Sequence, residues 1–148
     1  MTVPRGVRNC NPGNIDYNPR NPWIGQLGLE LGVFRPRFAR FDSAENGIRA
    51  LGKLLLNYRG KDGLPGIGGP NIDTVRETIT RWAPGNENDT EAYIRAVAGK
   101  LGVRDNDIID VRQPRVLRTM VGSIIAHECA NYRYPNEVFD EGMWRALA

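Results

Sequence analysis

Beyond residue 43, most apolar residues recur at helical spacing. The strongest stripe lies in residues 116–132, VLRTMVGSIIAHECANY, where Leu117, Met120, Val121, Ile124 and Ile125 share one face. One turn further along that face comes Glu128, so the pattern predicts a helix over 114–130 with a carboxylate at the end of its buried side. Ser43 is a good N-cap for a helix on which Ile48, Leu51, Leu55 and Tyr58 align, with Gly60 as its stop. A helix over 74–82, capped by Asp73 or Thr74, turns Val75, Ile79 and Trp82 inward and ends at Ala83-Pro84-Gly85. After a polar turn over 86–89, Asp89 caps a helix over 90–101 carrying Tyr93, Ile94, Val97 and Leu101, and Gly102 ends it. The last helix, 136–147, carries Val138, Phe139, Met143 and Trp144.

The front of the chain reads differently. Residues 1–32 are rich in Asn, Pro and Gly, which are turn formers, with room for a short strand at 15–17. Residues 33–41, VFRPRFARF, are extended in character, and Pro36 suits only an edge strand. A glycine-rich loop covers 61–71, and a charged connection over 104–112 holds a short strand at 108–111. The expectation is a mainly α (α+β) fold: about five helices and a small antiparallel β element from the first third, in one domain over 1–148.

Composition narrows the class. A hydrophobic share of 41% and a charged share of 25% are those of a soluble globular protein. No apolar run is long enough to cross a membrane. MTVPRGVRNCNPGN lacks the apolar core of a signal peptide, so synthesis in a cytoplasm without a leader is expected. A net charge of +3, mostly from arginine, favours an anionic partner: nucleic acid, membrane surface or bacterial wall polymer. The arginines are scattered rather than striped, which weighs against nucleic acid. Two cysteines, Cys10 and Cys129, and one histidine, His127, are too few for a disulfide scaffold or a zinc site, so neither metal nor cofactor is expected. Neither a serine–histidine triad pattern nor a phosphate-binding glycine loop is present.

Glu128 carries the candidate chemistry. A carboxylate at the end of a buried face loses water, which raises its pKa. A carboxylic acid that holds its proton near neutral pH is what a glycosidase needs to protonate a leaving sugar oxygen. A glutamate at a frayed helix end, turned outward or paired with arginine, is the plainer reading and the stronger on position alone. Asn9, Asn11 and Asn14 likewise admit two readings, a row of amides facing a sugar or ordinary turn chemistry, with the larger share to the second.

Four stretches shift the balance: RGVRNCNPGNI at 5–15, FARFDSAENGIRAL at 38–51, WAPGNENDTEAYI at 82–94 and SIIAHECANY at 123–132. In this order they resemble a group of phage proteins within the lysozyme-like peptidoglycan hydrolases. The same pieces look like those of bacterial glucosaminidases and lytic transglycosylases, except that the helix ending in the catalytic glutamate stands last instead of first. The resemblance therefore implies a circularly permuted lysozyme-like domain, a rearrangement that is cheap where termini lie close together. It implies Glu128 as the catalytic acid, Tyr93 lining the site, and Asn9, Asn11 and Asn14 bordering the substrate cleft. The implied reaction cleaves the β-1,4 bond between N-acetylmuramic acid and N-acetylglucosamine, by hydrolysis or transglycosylation. A second carboxylate would be Glu45, then Asp42, then Asp16, although a glutamate in a first helical turn is also what the helix dipole favours. Trp82, Tyr93 and Trp23 are candidates for stacking on sugar rings, Trp82 being better explained as core.

The implied partner is bacterial peptidoglycan, with no nucleic acid, no transmembrane segment and a monomeric state for a free endolysin. The protein would be made in the host cytoplasm and act at the wall after holin-dependent release or virion delivery. The rival class is a noncatalytic virion or tail protein of the same fold that only binds wall glycan. The chain departs from the pattern where it has Cys10, Cys129 and Ala130: the resemblance implies Asn, Asn and Gly there. The permuted arrangement brings the Cys10 and Cys129 segments together at the cleft. The thiols would be reduced when made and able to pair in an oxidising envelope.

Overall fold

The computed structural model describes residues 3–58, 72–83 and 89–148. It is mainly helical with a small antiparallel sheet. The elements are α1 (Arg5–Arg8), β1 (Gln26–Leu29), β2 (Ala39–Phe41), α2 (Ala44–Tyr58), α3 (Val75–Trp82), α4 (Thr90–Leu101), α5 (Pro114–Glu128) and α6 (Asn136–Leu147). The chain divides into two compact units, one of residues up to Lys53 with Ile124–Ala148, the other Leu54–Ser123. The unit boundaries fall inside α2 and α5.

The first unit holds the sheet. Gln26 pairs with Phe41, Gly28 with Arg40 and Leu29 with Ala39, so Leu27 is an extra residue on β1 and forms a bulge. The strand expected over 33–41 shrinks to β2, because Arg35 takes a positive φ of 57° and Pro36 has no N–H to give a ladder. The strand expected at 15–17 is a single bridge, Asp16 to Phe38. Neither α1 nor β1 is signalled by periodicity: one is a single turn after Pro4, the other the run QLGL. Ser43 caps α2 by accepting from the Asn46 N–H at 3.1 Å. In α6, Met143 is buried, Val138 and Phe139 are half-buried, and Trp144 stands out at 70% exposure.

In the second unit, Thr74 caps α3, taking the Glu77 N–H at 3.1 Å, while Glu77 Oε1 accepts from the Thr74 hydroxyl at 3.0 Å. Asp89 caps α4 by accepting from the Ala92 N–H at 3.1 Å, and Gly102 closes the helix in the left-handed region. The strand expected at 108–111 is one bridge, Thr74 to Ile108. The stop at Gly60, the loop over 61–71, the turn at Pro84-Gly85 and residues 86–88 of the polar turn lie outside the described residues.

Candidate functional site

α5 exists because its stripe is buried: Leu117, Met120, Val121, Ile124 and Ile125 are all withdrawn from water. Each contributes about 1.5–3 kcal/mol of burial. The helix ends at Glu128, two residues earlier than periodicity predicts. Ala130 and Asn131 turn to positive φ of 51° and 64°, and the Asn131 N–H donates to Ala126 O at 2.8 Å. That is the geometry of a Schellman stop, usually built on glycine, and nothing in the side chain of Ala130 announces it. Glu128 is thereby the last helical residue, half-buried instead of enclosed.

The amino-terminal segment reaches this helix end. Asn14 Nδ2 donates to Glu128 Oε2 at 3.1 Å across 114 residues of chain. The Cys129 thiol donates to Pro12 O at 3.4 Å. Two motif glycines make the approach possible. A Cβ on Gly6 would lie 2.8 Å from Asn11 O and 3.0 Å from Cys129 Sγ; one on Gly47, in α2, would lie 1.7 Å from Cys10 O. Glu128 Oε1 has no protein partner among the described residues.

The surroundings are polar atoms kept from water. Burial, with the Glu128 charge adding to it, pushes the Cys129 thiol up to about 11. Burial raises Cys10 as well, and the charges of Asp42 and Glu45 add to the effect, which puts the first turn of α2 beside that thiol. Tyr134 is raised by burial and then by both thiols; its hydroxyl and Asn14 Oδ1 are buried without a protein partner among the described residues. Cys10 and Cys129 are both free, though their segments do meet.

Of the three asparagines, only Asn14 faces Glu128. Asn11 is fully buried and spent on backbone: Nδ2 donates to Ile15 O at 3.0 Å and Ala39 O at 2.9 Å, and Oδ1 accepts from the Ile15 N–H at 3.0 Å. Asn9 donates to Glu30 Oε2 at 2.9 Å. Tyr93 belongs to the second unit and is 1% exposed there, its hydroxyl accepting from Trp82 Nε1 at 3.2 Å. Glu45 is half-buried in the first turn of α2. Asp16 pairs with Arg37 at 2.7 Å, and Asp42 accepts from Asn46 at 2.9 Å. Trp82 and Trp23 are half-buried.

Glu30 is not marked by any motif or helical period of the sequence. Arg5 Nε reaches its Oε2 at 2.8 Å and Arg5 Nη2 its Oε1, while the Arg37 and Phe38 N–H groups donate to Oε1 at 2.9 and 3.1 Å. The Arg5 guanidinium holds this carboxyl far below the usual carboxylate range, against the opposing cost of burial. The one signal for it in the sequence is a lone acid inside the run LGLELGVF.

Among the described residues no helix is long and apolar enough to cross a membrane, and no group of three or more His, Cys, Asp or Glu is placed to hold a metal ion. Fold and site define a mainly helical protein whose amino-terminal asparagine segment is bonded to a glutamate at the end of its penultimate helix. The chain is 39% identical over 120 residues to Protein P5 of Pseudoalteromonas phage PM2, covering 79% of this chain and 68% of that one, and it belongs to the same family. No family model matches it.

Proposed function

We propose that the chain is a peptidoglycan-cleaving glycosidase of lysozyme-like type with permuted element order, acting on the β-1,4 bond between N-acetylmuramic acid and N-acetylglucosamine. The observation that carries this reading is the Asn14–Glu128 hydrogen bond, which joins the two motif segments from opposite ends of the sequence. Asn14 fixes one carboxyl oxygen and leaves Oε1 for the substrate. From there Glu128 protonates the bridging oxygen as positive charge develops on the sugar ring. The substrate's own hydroxyl or acetamido group completes the reaction, or a second carboxylate does; Glu45, whose charge reaches Cys10, is the candidate. Kinship with a phage protein supports a setting in which wall must be breached, by a lysin released from the cytoplasm or by a virion part.

The test is digestion of purified peptidoglycan by the wild type and by Glu128→Gln, with mass analysis of the fragments. Muropeptides from the wild type alone are expected, and an anhydro or reducing end would identify the chemistry. Glycan that is bound but left intact by the wild type would replace this reading with the noncatalytic one.

A further inference from the structure

The sheet end of the first unit contains a cavity of about 360 Å³, within the size range of small-ligand sites. Arg8, Asn9 and Arg40 line its polar side, and Leu27, Leu31 and Phe41 its apolar side. Among the described residues no carboxylate lines it. Arg8 is exposed and its guanidinium meets no partner among the described residues. Arg40 Nε donates to Leu29 O at 3.2 Å, which leaves its two terminal nitrogens unspent. Of the two acids adjoining lining residues in sequence, Glu30 is consumed by Arg5, and Asp42 accepts from Asn46 at 2.9 Å and does not line the hollow. Two guanidiniums around one hollow repel each other unless an anion lies between them. Their forked donors fit the paired oxygens of a carboxylate or a phosphate.

The other wall is apolar and open. The β1 bulge turns Leu27 outward to 54% exposure, and Leu31 is 72% exposed. A ligand that satisfies both walls carries an anionic group and short apolar side chains together. Asn9, on the cavity wall, is five residue steps from Asn14 at Glu128, so their Cα atoms are at most about 18 Å apart. We infer that this cavity binds the acidic peptide borne by the glycan, a short chain of alanine and carboxylate residues hung beside the scissile bond. The inference rests on the glycosidase reading for its ligand's origin. An anionic bilayer fits less well, because the guanidiniums and leucines share a hollow; Phe34, which projects at 87% exposure, does not line it and has Arg35 5.2 Å over its ring.

The full chain carrying Glu128→Gln is titrated with amine-blocked L-alanyl-D-glutamate, followed by calorimetry. Saturable binding is expected, weakened about tenfold by Arg8→Gln or by Arg40→Gln and unaffected by Arg20→Gln. Amidating the peptide's carboxyls should abolish it. Unchanged melting of Arg8→Gln guards against a folding artefact. With Glu128 intact, Arg8→Gln should raise KM about tenfold more on peptide-bearing wall than on glycan stripped of peptide. Absence of saturable peptide binding overturns the assignment, as does equal binding by Arg8→Gln. Tight binding to phosphatidylglycerol vesicles that Arg8→Gln abolishes, without peptide binding, transfers the cavity to a lipid surface. If the peptide binds but the wild type cleaves no glycan, the cavity assignment stands and the glycosidase reading falls. If glycan is cleaved but no peptide binds, the glycosidase reading stands and the cavity assignment falls.

Discussion

Two carboxylates of the first unit are used in opposite ways. Glu30 receives five hydrogen bonds, and both its oxygens are spent. Among the described residues Glu128 receives one, on Oε2. Glu30 is the more deeply buried, with a side chain at 0% exposure, yet its charge is neutralised where it stands and it ties α1 to the sheet. On the proposed glycosidase reading, burial alone does not mark the reactive acid. The mark that reading rests on is an oxygen left unspent at a helix end, in partly dry surroundings.

The largest expected effect separates the two by chemistry. Glu128→Gln keeps the shape and the bond to Asn14 but removes the proton to be donated. Glycan cleavage should fall by about 10²–10⁴-fold with little change in melting temperature. Wild-type cleavage rates in this variant would make Glu128 structural and move the search to Glu45.

The next effect separates them by stability. Glu30→Gln weakens the acceptor of the Arg37 and Phe38 N–H groups and should cost about 2–3 kcal/mol, or roughly 4–12 °C in melting temperature, with the chemistry unharmed. The pH dependence has a definite sign. The folded-state pKa of Glu30 is depressed, so its contribution is present above the ordinary value of 4.5 and is lost as pH falls below it. Wild type and variant should therefore differ at neutral pH and converge in acid. A variant that melts like the wild type but no longer cleaves would exchange the roles of the two glutamates.

How much of this is legible beforehand depends on where the signal resides. The bounds of α4 follow from the sequence because caps and apolar period agree, Asp89 and Gly102 framing it, whereas those of α6 follow from its apolar residues alone, the Pro135 position before it making no side-chain cap bond. β1 is illegible because QLGL does not alternate and its bulge breaks the period. Resemblance implies that the segments over 5–15 and 123–132 meet, which no local pattern does, but the particular bond of Asn14 to Glu128 is supplied by the structure alone. Asn11 has the same composition signal as Asn14 but folds back on backbone, a distinction made only by the tertiary path. Glu30 takes its meaning from donors at Arg5, Asn9, Arg37 and Phe38, none of which is periodic with it.

A finer probe uses the thiol beside Glu128. Cys129, pushed up to about 11 from an ordinary 9.0 by burial and then by Glu128, should hold about 100-fold less thiolate at pH 8 than a free cysteine. In native protein, iodoacetamide should therefore label half-buried Cys10 ahead of Cys129, and both should label after denaturation. Glu128→Gln removes one cause of the raised value and should speed Cys129 labelling; Glu30→Gln should not. Equal acceleration by both variants would mean that the unit has loosened, and the contrast between the two carboxylates would lose this support.

The smallest effect concerns the turn that presents Glu128. Ala130 sits at φ 51°, at the position where a Schellman stop ordinarily has glycine. A Cβ there costs about 1–2 kcal/mol against the adjoining carbonyl. Glycine removes that strain but gives the unfolded chain more freedom, which returns about 0.4–1 kcal/mol. The balance favours Ala130→Gly by roughly 0.5–1 kcal/mol, a rise of about 1–4 °C in melting temperature. Because the Asn131 to Ala126 bond already closes the helix, the carboxylate should not move and the cleavage rate should hold. If the rate falls as stability rises, strain in the turn is part of how Glu128 is aimed. If melting temperature drops instead, Ala130 is not left-handed and α5 continues past Glu128, which would bury the carboxylate more deeply and erase its contrast with Glu30.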